Sequence, residues 1–385
     1  MIFVRRLLEI GSAILMVGLM VLIVGCGSGS SSTPVSSSPA QTRPGPAAML
    51  AFTTQPSKGI AGSDFNIQPV VVVEDAEGNL VNNFRGLLKL TITEGTGDPD
   101  ARLYGGTTVG LTNSIVESKE LSIDKAGVGY TLIASSGNLL PATSTPFTIL
   151  PGEPFKLAFI VQPSGGKAGI SLTPNPEITV QDFYGNMIAN YEGSVTVSAT
   201  VSFWDYTDPS QSEPSLQTFP TALSGTTTVP LVNGVGRFTD ISSKLATFTE
   251  PGCRLIATSN SLKSATSTAF TILPAAPAKL EFTEQPFGCK AGIIFETQPY
   301  VVIEDIYGNV VHSSRASVTV SITPGSGPAG AILSGTNTHI AEDGYGGLAT
   351  FTDLSIDLVG SGYTLTAATN GLPSATSQVF DVSAP

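Results

Sequence analysis

The chain contains few of the side chains that most catalytic and metal sites use. Its 385 residues include only two His, three Cys and one Trp, and 12% of them are charged. So few imidazoles and thiols leave little material for a structural zinc site or for a nucleophile paired with a base. The composition therefore implies no cofactor and argues against an enzyme.

Positive charge is also scarce. Lys and Arg number 18 against 30 Asp and Glu, which gives a formal net charge of −12. The phosphate backbone of a nucleic acid would be repelled by such a chain, because no excess of basic residues offsets the like charge. We therefore exclude nucleic acid as a partner.

The first 25 residues have the pattern of a secretory signal peptide. Arg5 and Arg6 precede an apolar run from Ile10 to Val24, which is followed by Gly25. This run of 15 residues is shorter than the roughly 20 that a permanent membrane span needs. We expect residues 1–25 to be removed on export, and a retained membrane span is the alternative.

The end of this leader resembles the lipobox of bacterial lipoproteins. The matching residues are Ile23, Val24, Gly25 and Cys26. The resemblance implies that Cys26 is diacylated on sulfur, as by palmitate, and becomes the mature N-terminus. It also implies sorting to the outer membrane, in a cell that has one, because Gly27 and not Asp follows the Cys. An ordinary signal peptide with an incidental Cys is the other interpretation.

Residues 26–47 have the composition of a flexible tether. After Cys26 they are almost only Ser, Gly, Pro, Thr and Ala, which cannot bury apolar area. A tether of this length reaches about 25 Å, enough to lift a folded domain off a headgroup layer. Because an acidic domain does not adsorb to anionic lipid by itself, the predicted membrane partner is held through the lipid on Cys26.

One unit of sequence recurs three times after residue 47. Each copy opens with LAFxxQP or a close variant, contains an Asp-x-x-Gly-Asn pentad and closes with a segment similar to ATSTPFTIL. This recurrence predicts three repeats, at 48–151, 152–275 and 276–385. Short Pro-rich linkers, 151–154 and 274–277, separate them, and such linkers restrict bending. We expect a rod-like array.

Within each repeat the apolar residues alternate, as at Phe65, Ile67, Val71 and Val73. This period of two indicates half-buried β-strands, and no helical stripe follows residue 47. About seven short strands in 100 to 120 residues is typical of an immunoglobulin-like sandwich. We therefore predict an all-β fold of three tandem sandwiches. Pro recurs inside one of the predicted strands, where we expect a bulge; its three positions are Pro69, Pro176 and Pro299.

The repeats resemble the bacterial immunoglobulin-like repeats of invasin- and filamin-type surface proteins. The resemblance rests on LAFxxQP, the pentad, ATFTDLSI (349–356) and GYTLTA (362–367). It implies the fold, but that family builds stalks, adhesins and accessory modules alike. It also implies that Tyr130 and Tyr363 lie near the start of strand F and hydrogen-bond back to the corner. The second repeat has Cys253 at this position.

The pentads admit two interpretations. Asp and Asn oxygens are calcium ligands, but a site needs six to eight oxygens and each pentad offers few. The alternative, which we favour, is a turn in which Asp caps backbone amides and Gly-Asn adopt positive φ. No metal site is therefore predicted.

The remaining candidate groups are two cysteines and two histidines. Cys253 and Cys289 are predicted at opposite ends of their repeats, about 30 Å apart along a sandwich, too far for a disulfide. We expect a buried thiol at Cys253 and an exposed one at Cys289. His312 and His339 lie in polar segments, where we expect solvated side chains.

The second repeat differs from the others by an insertion. From the pentad Asn to the next aligned Leu the spacing is 37 there and 24 in the other two repeats. The inserted residues include Phe203, Trp204, Asp205 and Tyr206. Aromatic faces and carboxylates on a loop are suited to bind a glycan or a peptide. Packing of Phe203 and Trp204 over the sandwich is the other interpretation.

These observations predict a lipid-anchored rod of immunoglobulin-like modules at the cell surface, extracellular or periplasmic. Its expected role is that of a non-catalytic stalk, scaffold or adhesin. The alternative is a binding module that uses the aromatic loop of the second repeat for an extracellular glycan or protein.

Overall fold

A computed structural model describes residues 43–111, 113–205, 215–247, 252–341 and 347–385, without the side chains of 203–205 and 215. The predicted signal peptide, Cys26 and most of the predicted tether lie outside these residues. The described strands belong to one compact unit, Gly45–Pro385. No helix occurs in the described part of the chain, and hence none that could cross a membrane. The predicted all-β fold is confirmed.

We keep the three predicted repeats as names for three modules. In the first module the described strands are β1 (Met49–Thr54), β2 (Gly59–Ile60), β3 (Val70–Glu74), β4 (Gly86–Ile92), β5 (Leu103–Tyr104), β6 (Thr108–Leu111), β7 (Ile115–Glu117), β8 (Ser122–Ile123), β9 (Gly127–Tyr130), β10 (Leu132–Ser135), β11 (Ala142–Thr143) and β12 (Phe147–Leu150).

In the second module they are β13 (Lys156–Val161), β14 (Gly166–Lys167), β15 (Glu177–Gln181), β16 (Ser194–Asp205), β17 (Ser215–Thr221), β18 (Leu223–Ser224), β19 (Thr228–Pro230), β20 (Val235–Arg237), β21 (Ser242–Ser243), β22 (Gly252–Thr258), β23 (Ala265–Thr266) and β24 (Ile272–Leu273).

In the third module they are β25 (Pro277–Glu284), β26 (Tyr300–Asp305), β27 (Ser317–Ile322), β28 (Leu333–Ser334), β29 (Thr338–Ile340), β30 (Leu348–Thr350), β31 (Ser355–Ile356), β32 (Gly360–Tyr363), β33 (Leu365–Ala368), β34 (Ala375–Thr376) and β35 (Phe380–Val382).

Two antiparallel sheets enclose the core of each module. In the first module their orders are β1-β3-β7 and β11-β10-β4-β6, and the other two modules repeat the pattern as β13-β15-β20 with β23-β22-β16-β19 and β25-β26-β30 with β34-β33-β27-β29. In the second module β17 pairs with β16 as an additional strand of this sheet. A short parallel pair joins the opening and closing segments in the first two modules, as β2 with β12 and β14 with β24. This arrangement is the predicted immunoglobulin-like sandwich.

Each module has its own hydrophobic core. In the first, Val71 and Val73 of one sheet are fully buried against Leu88 and Leu132 of the other. The two-residue period correctly predicted these inward positions. It failed at Ile67, which is 51% exposed, because the chain between β2 and β3 forms turns and bends instead of a strand.

The recurring prolines lie just before strands and not within them. Pro69, Pro176 and Pro299 immediately precede β3, β15 and β26. The register irregularity that we expected at these prolines is on the partner strand, for example between Phe52 and Thr54 of β1. Proline has no N–H to donate to a strand ladder. Because these prolines lie outside the ladder, the sheet loses no hydrogen bond.

Both predicted tyrosine corners are present. The buried Tyr130 hydroxyl donates to the carbonyl of Lys125 at 2.9 Å and accepts the N–H of Asp98 at 3.1 Å. Tyr363 donates to the carbonyl of Leu358 at 2.8 Å. Burial raises the pKa of both phenols, so both remain donors at neutral pH. Each bond fixes the corner that leads into the adjoining strand.

Ser118 leaves a defect in the first core. The aligned residue of the third module is Phe351, and both positions are fully buried. The hydroxyl of Ser118 has no hydrogen-bond partner within the described residues. A buried polar group without a partner costs stability.

We therefore expect Ser118→Ala to stabilise the first module, by about 1 kcal/mol, because it removes the unpaired hydroxyl. The measurement is the free energy of unfolding in urea. Ser144→Ala is the matched control, because Ser144 Oγ is buried and accepts the N–H of Leu132 at 2.9 Å. That change should destabilise the module, and equal effects of the two changes would contradict the assignment.

Candidate functional site: the hairpin of the second module and the joints between modules

The insertion of the second module extends a β-hairpin. Strand β16 pairs with β22 from Thr196 to Ser202, and with β17 from Ala199 to Asp205. Beyond Ser202 the described pairing partner of β16 is β17 alone, so the two strands continue past Gly252, the first described residue of β22. Ser202 Oγ and Thr218 Oγ1 lie 2.8 Å apart across this ribbon.

The predicted loop is therefore a strand at three of its four candidate residues. Phe203 pairs with Gln217, Trp204 with Leu216 and Asp205 with Ser215. The reason is that Val, Phe and Trp in this stretch favour a strand once a partner is available. The side chains of Phe203, Trp204 and Asp205, and the whole of Tyr206, lie outside the described residues. Their role in ligand binding stays a prediction.

The cysteines are not paired with each other. Cys253 and Cys289 are both free, as predicted, but Cys289 is buried and not exposed. Its carbonyl accepts the N–H of Ser383, and its side chain belongs to the hydrophobic core of the third module. Burial raises the pKa of Cys253 to about 11, while burial and the nearby Glu296 carboxylate raise that of Cys289 to about 12. Both thiols are therefore protonated at neutral pH and unreactive.

The histidines are less solvated than expected. His312 and His339 are both half-buried, and burial lowers the pKa of His312. The ring of His339 stands edge-on to Phe351 at 5.1 Å between centroids. Across the described ranges no group of three or more His, Cys, Asp and Glu side chains is arranged to hold a metal ion.

The pentads form the predicted capped turns. Oδ1 of Asp305 accepts the N–H groups of Tyr307 and Asn309 at 2.8 and 2.9 Å. Oδ2 accepts the N–H of Ala275 and the side-chain amide of Asn309, both at 2.8 Å. Burial raises the pKa of Asp305, but these hydrogen bonds outweigh it, so the pKa lies below its ordinary value. Because both carboxylate oxygens of Asp305 already accept hydrogen bonds, the turn interpretation is favoured over calcium binding.

Only part of the predicted backbone geometry is found in these turns. The pentad glycines have positive φ, at 82° for Gly78, 87° for Gly185 and 85° for Gly308. The Asn that follows each of them does not. In the second and third modules its side chain instead bonds to the preceding module.

Asn186 connects the first two modules. Its Nδ2 donates to the carbonyl of Asp124 and its Oδ1 accepts the N–H of Ala126, both at 2.9 Å. Nearby, Lys125 Nζ donates to the carbonyl of Tyr184 at 2.9 Å. The Tyr184 ring lies directly against Gly62, where a Cβ would collide with it. One turn of the second module therefore fills a small depression on the first.

Asn309 connects the second and third modules in the same way. Its Nδ2 donates to the carbonyl of Lys244 at 2.7 Å and its Oδ1 accepts the N–H of Ala246 at 2.9 Å. The Tyr307 ring lies against Gly169, and Lys244 Nζ is 5.9 Å from its centroid. The two joints therefore share one design, which sequence reasoning missed. The available signal was the Tyr-Gly-Asn sequence in these two pentads.

The linkers are held by the same turns. The N–H of Gly152 donates to Asp182 Oδ2 at 2.8 Å, as that of Ala275 does to Asp305. Gly45 makes the equivalent bond to Asp75 at the start of the first module. Gly45 is thus bound to the first module, although it lies inside the stretch 26–47 that the sequence predicts as a tether.

The chain is similar in fold to solved structures of other proteins. No family model and no curated protein matches the chain. The Escherichia coli adhesin FdeC is 16% identical with a TM-score of 0.31, over 89% of this chain and 99% of its own. Invasin, a bacterial integrin-binding protein, is 14% identical with a TM-score of 0.30, over 86% of this chain and 60% of its own. Such matches say nothing about function.

Asn309→Ala should loosen the second joint. It removes both bonds to the second module and leaves the buried N–H of Ala246 unpaired, at an expected cost of about 1–3 kcal/mol. Asn79→Ala is the matched control, because Asn79 occupies the same pentad position and its side chain bonds to Asp75 of its own turn. The measurement is hydrogen exchange of the Ala246 amide, which should accelerate in the first variant and not in the second. Unchanged exchange in both would show that Asn309 does not hold the joint.

Proposed function

We propose that the chain is a non-catalytic spacer, scaffold or adhesin of the cell surface, anchored by lipid at Cys26. The observation that carries this proposal is the pair of matching joints, at Asn186 and Asn309. A protein that must hold its far end at a set distance needs modules that do not swing freely. Three independent binding domains would not need such joints.

Each joint constrains the chain at three places. The linker amide is bound by the pentad Asp, the pentad Asn spans to the preceding module, and the pentad Tyr fills a depression beside a Gly. These three contacts hold the same joint, so the loss of one leaves the other two in place. The sequence repeats the arrangement, which supports a mechanical role.

The proposed anchor rests on the leader and the tether. The apolar run of residues 10–24, the residues resembling a lipobox and the Ser-, Gly- and Pro-rich stretch follow one another in the order that an exported lipoprotein requires. Cys26 itself lies outside the described residues. The three modules would then be extracellular or periplasmic, with the lipid in the outer membrane of a cell that has one.

Replacing the anchor residue tests this proposal. We expect Cys26→Ser to abolish incorporation of labelled palmitate and to move the protein from the membrane fraction to the soluble fraction. Ser28→Ala, two residues away, is the control and should change neither. If the unaltered chain takes up no label, and both it and the C26S variant stay in the membrane fraction, the leader is retained as a membrane span and the lipid anchor is refuted.

A second candidate function is binding of a glycan or a peptide by the hairpin of the second module. It is favoured by the pairing of β16 with β17 out to Asp205, and by Leu216, which is 48% exposed and pairs with Trp204. Phe203, Trp204, Asp205 and Tyr206 would be the contact residues. Stacking on an aromatic ring and hydrogen bonds to a carboxylate would hold a sugar there.

Intrinsic fluorescence tests this candidate, because Trp204 is the only Trp in the chain. A saturable shift on titration with cell-wall glycans or matrix peptides is expected if the hairpin binds them. Binding followed by calorimetry should then be lost in Trp204→Ala and kept in Phe287→Ala, which removes an exposed aromatic side chain from the third module. Absence of any shift or heat would reject the hairpin as a site for these ligands.

A further inference from the structure

The third module carries an unfilled copy of the depression used in both joints. We call it the terminal socket and define it as Gly292 with residues 357–359. By alignment of the repeats it corresponds to Gly62 with 124–126 in the first module, and to Gly169 with 244–246 in the second. Those two are filled by the turns that contain Tyr184 and Tyr307.

The internal structure of the terminal socket matches that of the filled ones. The N–H of Gly292 donates to the carbonyl of Ile356 at 2.8 Å, as Gly62 does to Ile123 and Gly169 to Ser243, also at 2.8 Å. The three glycines have φ of 74°, 78° and 73° in chain order. The socket is therefore already formed and does not depend on an occupant for its shape.

Its surface is open where the others are covered. A Cβ on Gly62 or Gly169 would meet a tyrosine ring, but one on Gly292 would meet nothing within 4 Å. Val359 is 54% exposed, whereas the aligned Ala246 is 7% exposed beneath the third module. Leu358 beside it is 38% exposed. The open surface is thus more apolar than the filled one and still lacks a cover.

The two filled sockets define what fits. In the joints the Asn side-chain amide binds one backbone carbonyl and one backbone N–H of the preceding module. By alignment, the equivalent groups of the terminal socket are the carbonyl of Asp357 and the N–H of Val359. The space against Gly292 is that of a tyrosine ring. The complementary element is therefore an Asp-x-Tyr-Gly-Asn turn on an immunoglobulin-like module.

This chain does not offer such a turn to a second copy of itself. The turns of Tyr184 and Tyr307 are already used in its own joints. The first module has Glu77 at the Tyr position. A Glu carboxylate brought against Leu358 and Val359 would lose its hydration without gaining a partner.

A module that followed in the same chain would also fit less well. Gly152 and Ala275 donate a linker N–H to the pentad Asp of the next module. The aligned residue of the third repeat is Pro385, which has no N–H to donate. The geometry therefore points to a partner from a separate chain: we infer that the terminal socket binds an immunoglobulin-like module of another protein that presents an Asp-x-Tyr-Gly-Asn turn.

A variant of this chain that carries the matching turn on its first module can test the inference. Ala76→Phe with Glu77→Tyr gives the first module the same pentad as residues 182–186. In a chain that begins at Gly27, and so keeps the compact unit Gly45–Pro385 without the anchor, this double variant should associate head to tail. Sedimentation equilibrium should give an association constant at least tenfold above that of the unaltered sequence.

Two further changes show whether the association uses the socket. Gly292→Val fills the space for the ring, and Val359→Asp places a charge on the exposed surface without altering the core. Either change, added to the double variant, should return association to the unaltered level. A double variant that associates no more than the unaltered chain, or one whose association survives Val359→Asp, would overturn the inference. Neither result bears on the lipid anchor, which these chains lack.

Discussion

Both joints depend on the carboxylate of a pentad Asp. In the second module Asp182 accepts the N–H of Asn186 on Oδ1, and the N–H of Gly152 and the amide of Asn186 on Oδ2. A carboxyl group suits this task, because its two oxygens can accept hydrogen bonds from several donors at once. One side chain therefore fixes the linker, the turn and the orientation of the Asn amide together.

The oriented amide is what makes the joint specific. Asn186 donates to one backbone carbonyl and accepts one backbone N–H of the first module, so only an amide in this orientation satisfies both. The adjacent Tyr184 needs Gly62 beneath it, since any side chain there would occupy the volume of the ring. Hydrogen bonding and shape thus select the same docked position.

The sequence pattern predicted the features that depend on neighbouring residues, namely the inward strand positions and the three repeats. The two-residue period identified Val71 and Val73, and the repeat spacing identified three similar units, because strand burial alternates along the chain. The prediction of an exposed Cys289 is wrong because its side chain belongs to the core of the third module, together with residues distant in sequence such as Val382. The sequence predicts a loop where the hairpin lies, because a strand is recognised only with its partner, and here the partner is the second half of the insertion itself. The joint contacts join residues about 60 apart, which no local period reports.

The first and third modules differ in the joint element that they present. The first has Glu77 where the other two turns have Tyr, and the third has an open socket. A joint of this kind is heterologous, since a turn on one module meets a socket on another, and repeated use of such an interface between copies would build open fibres. The described modules have an open socket at Gly292, but the turns with the Tyr that fits it, those of Tyr184 and Tyr307, are both used in the joints. Glu77 therefore acts against self-assembly at little cost to the first module, where it lies at an exposed position. Among the three described modules, the socket at Gly292 therefore has no turn that matches it.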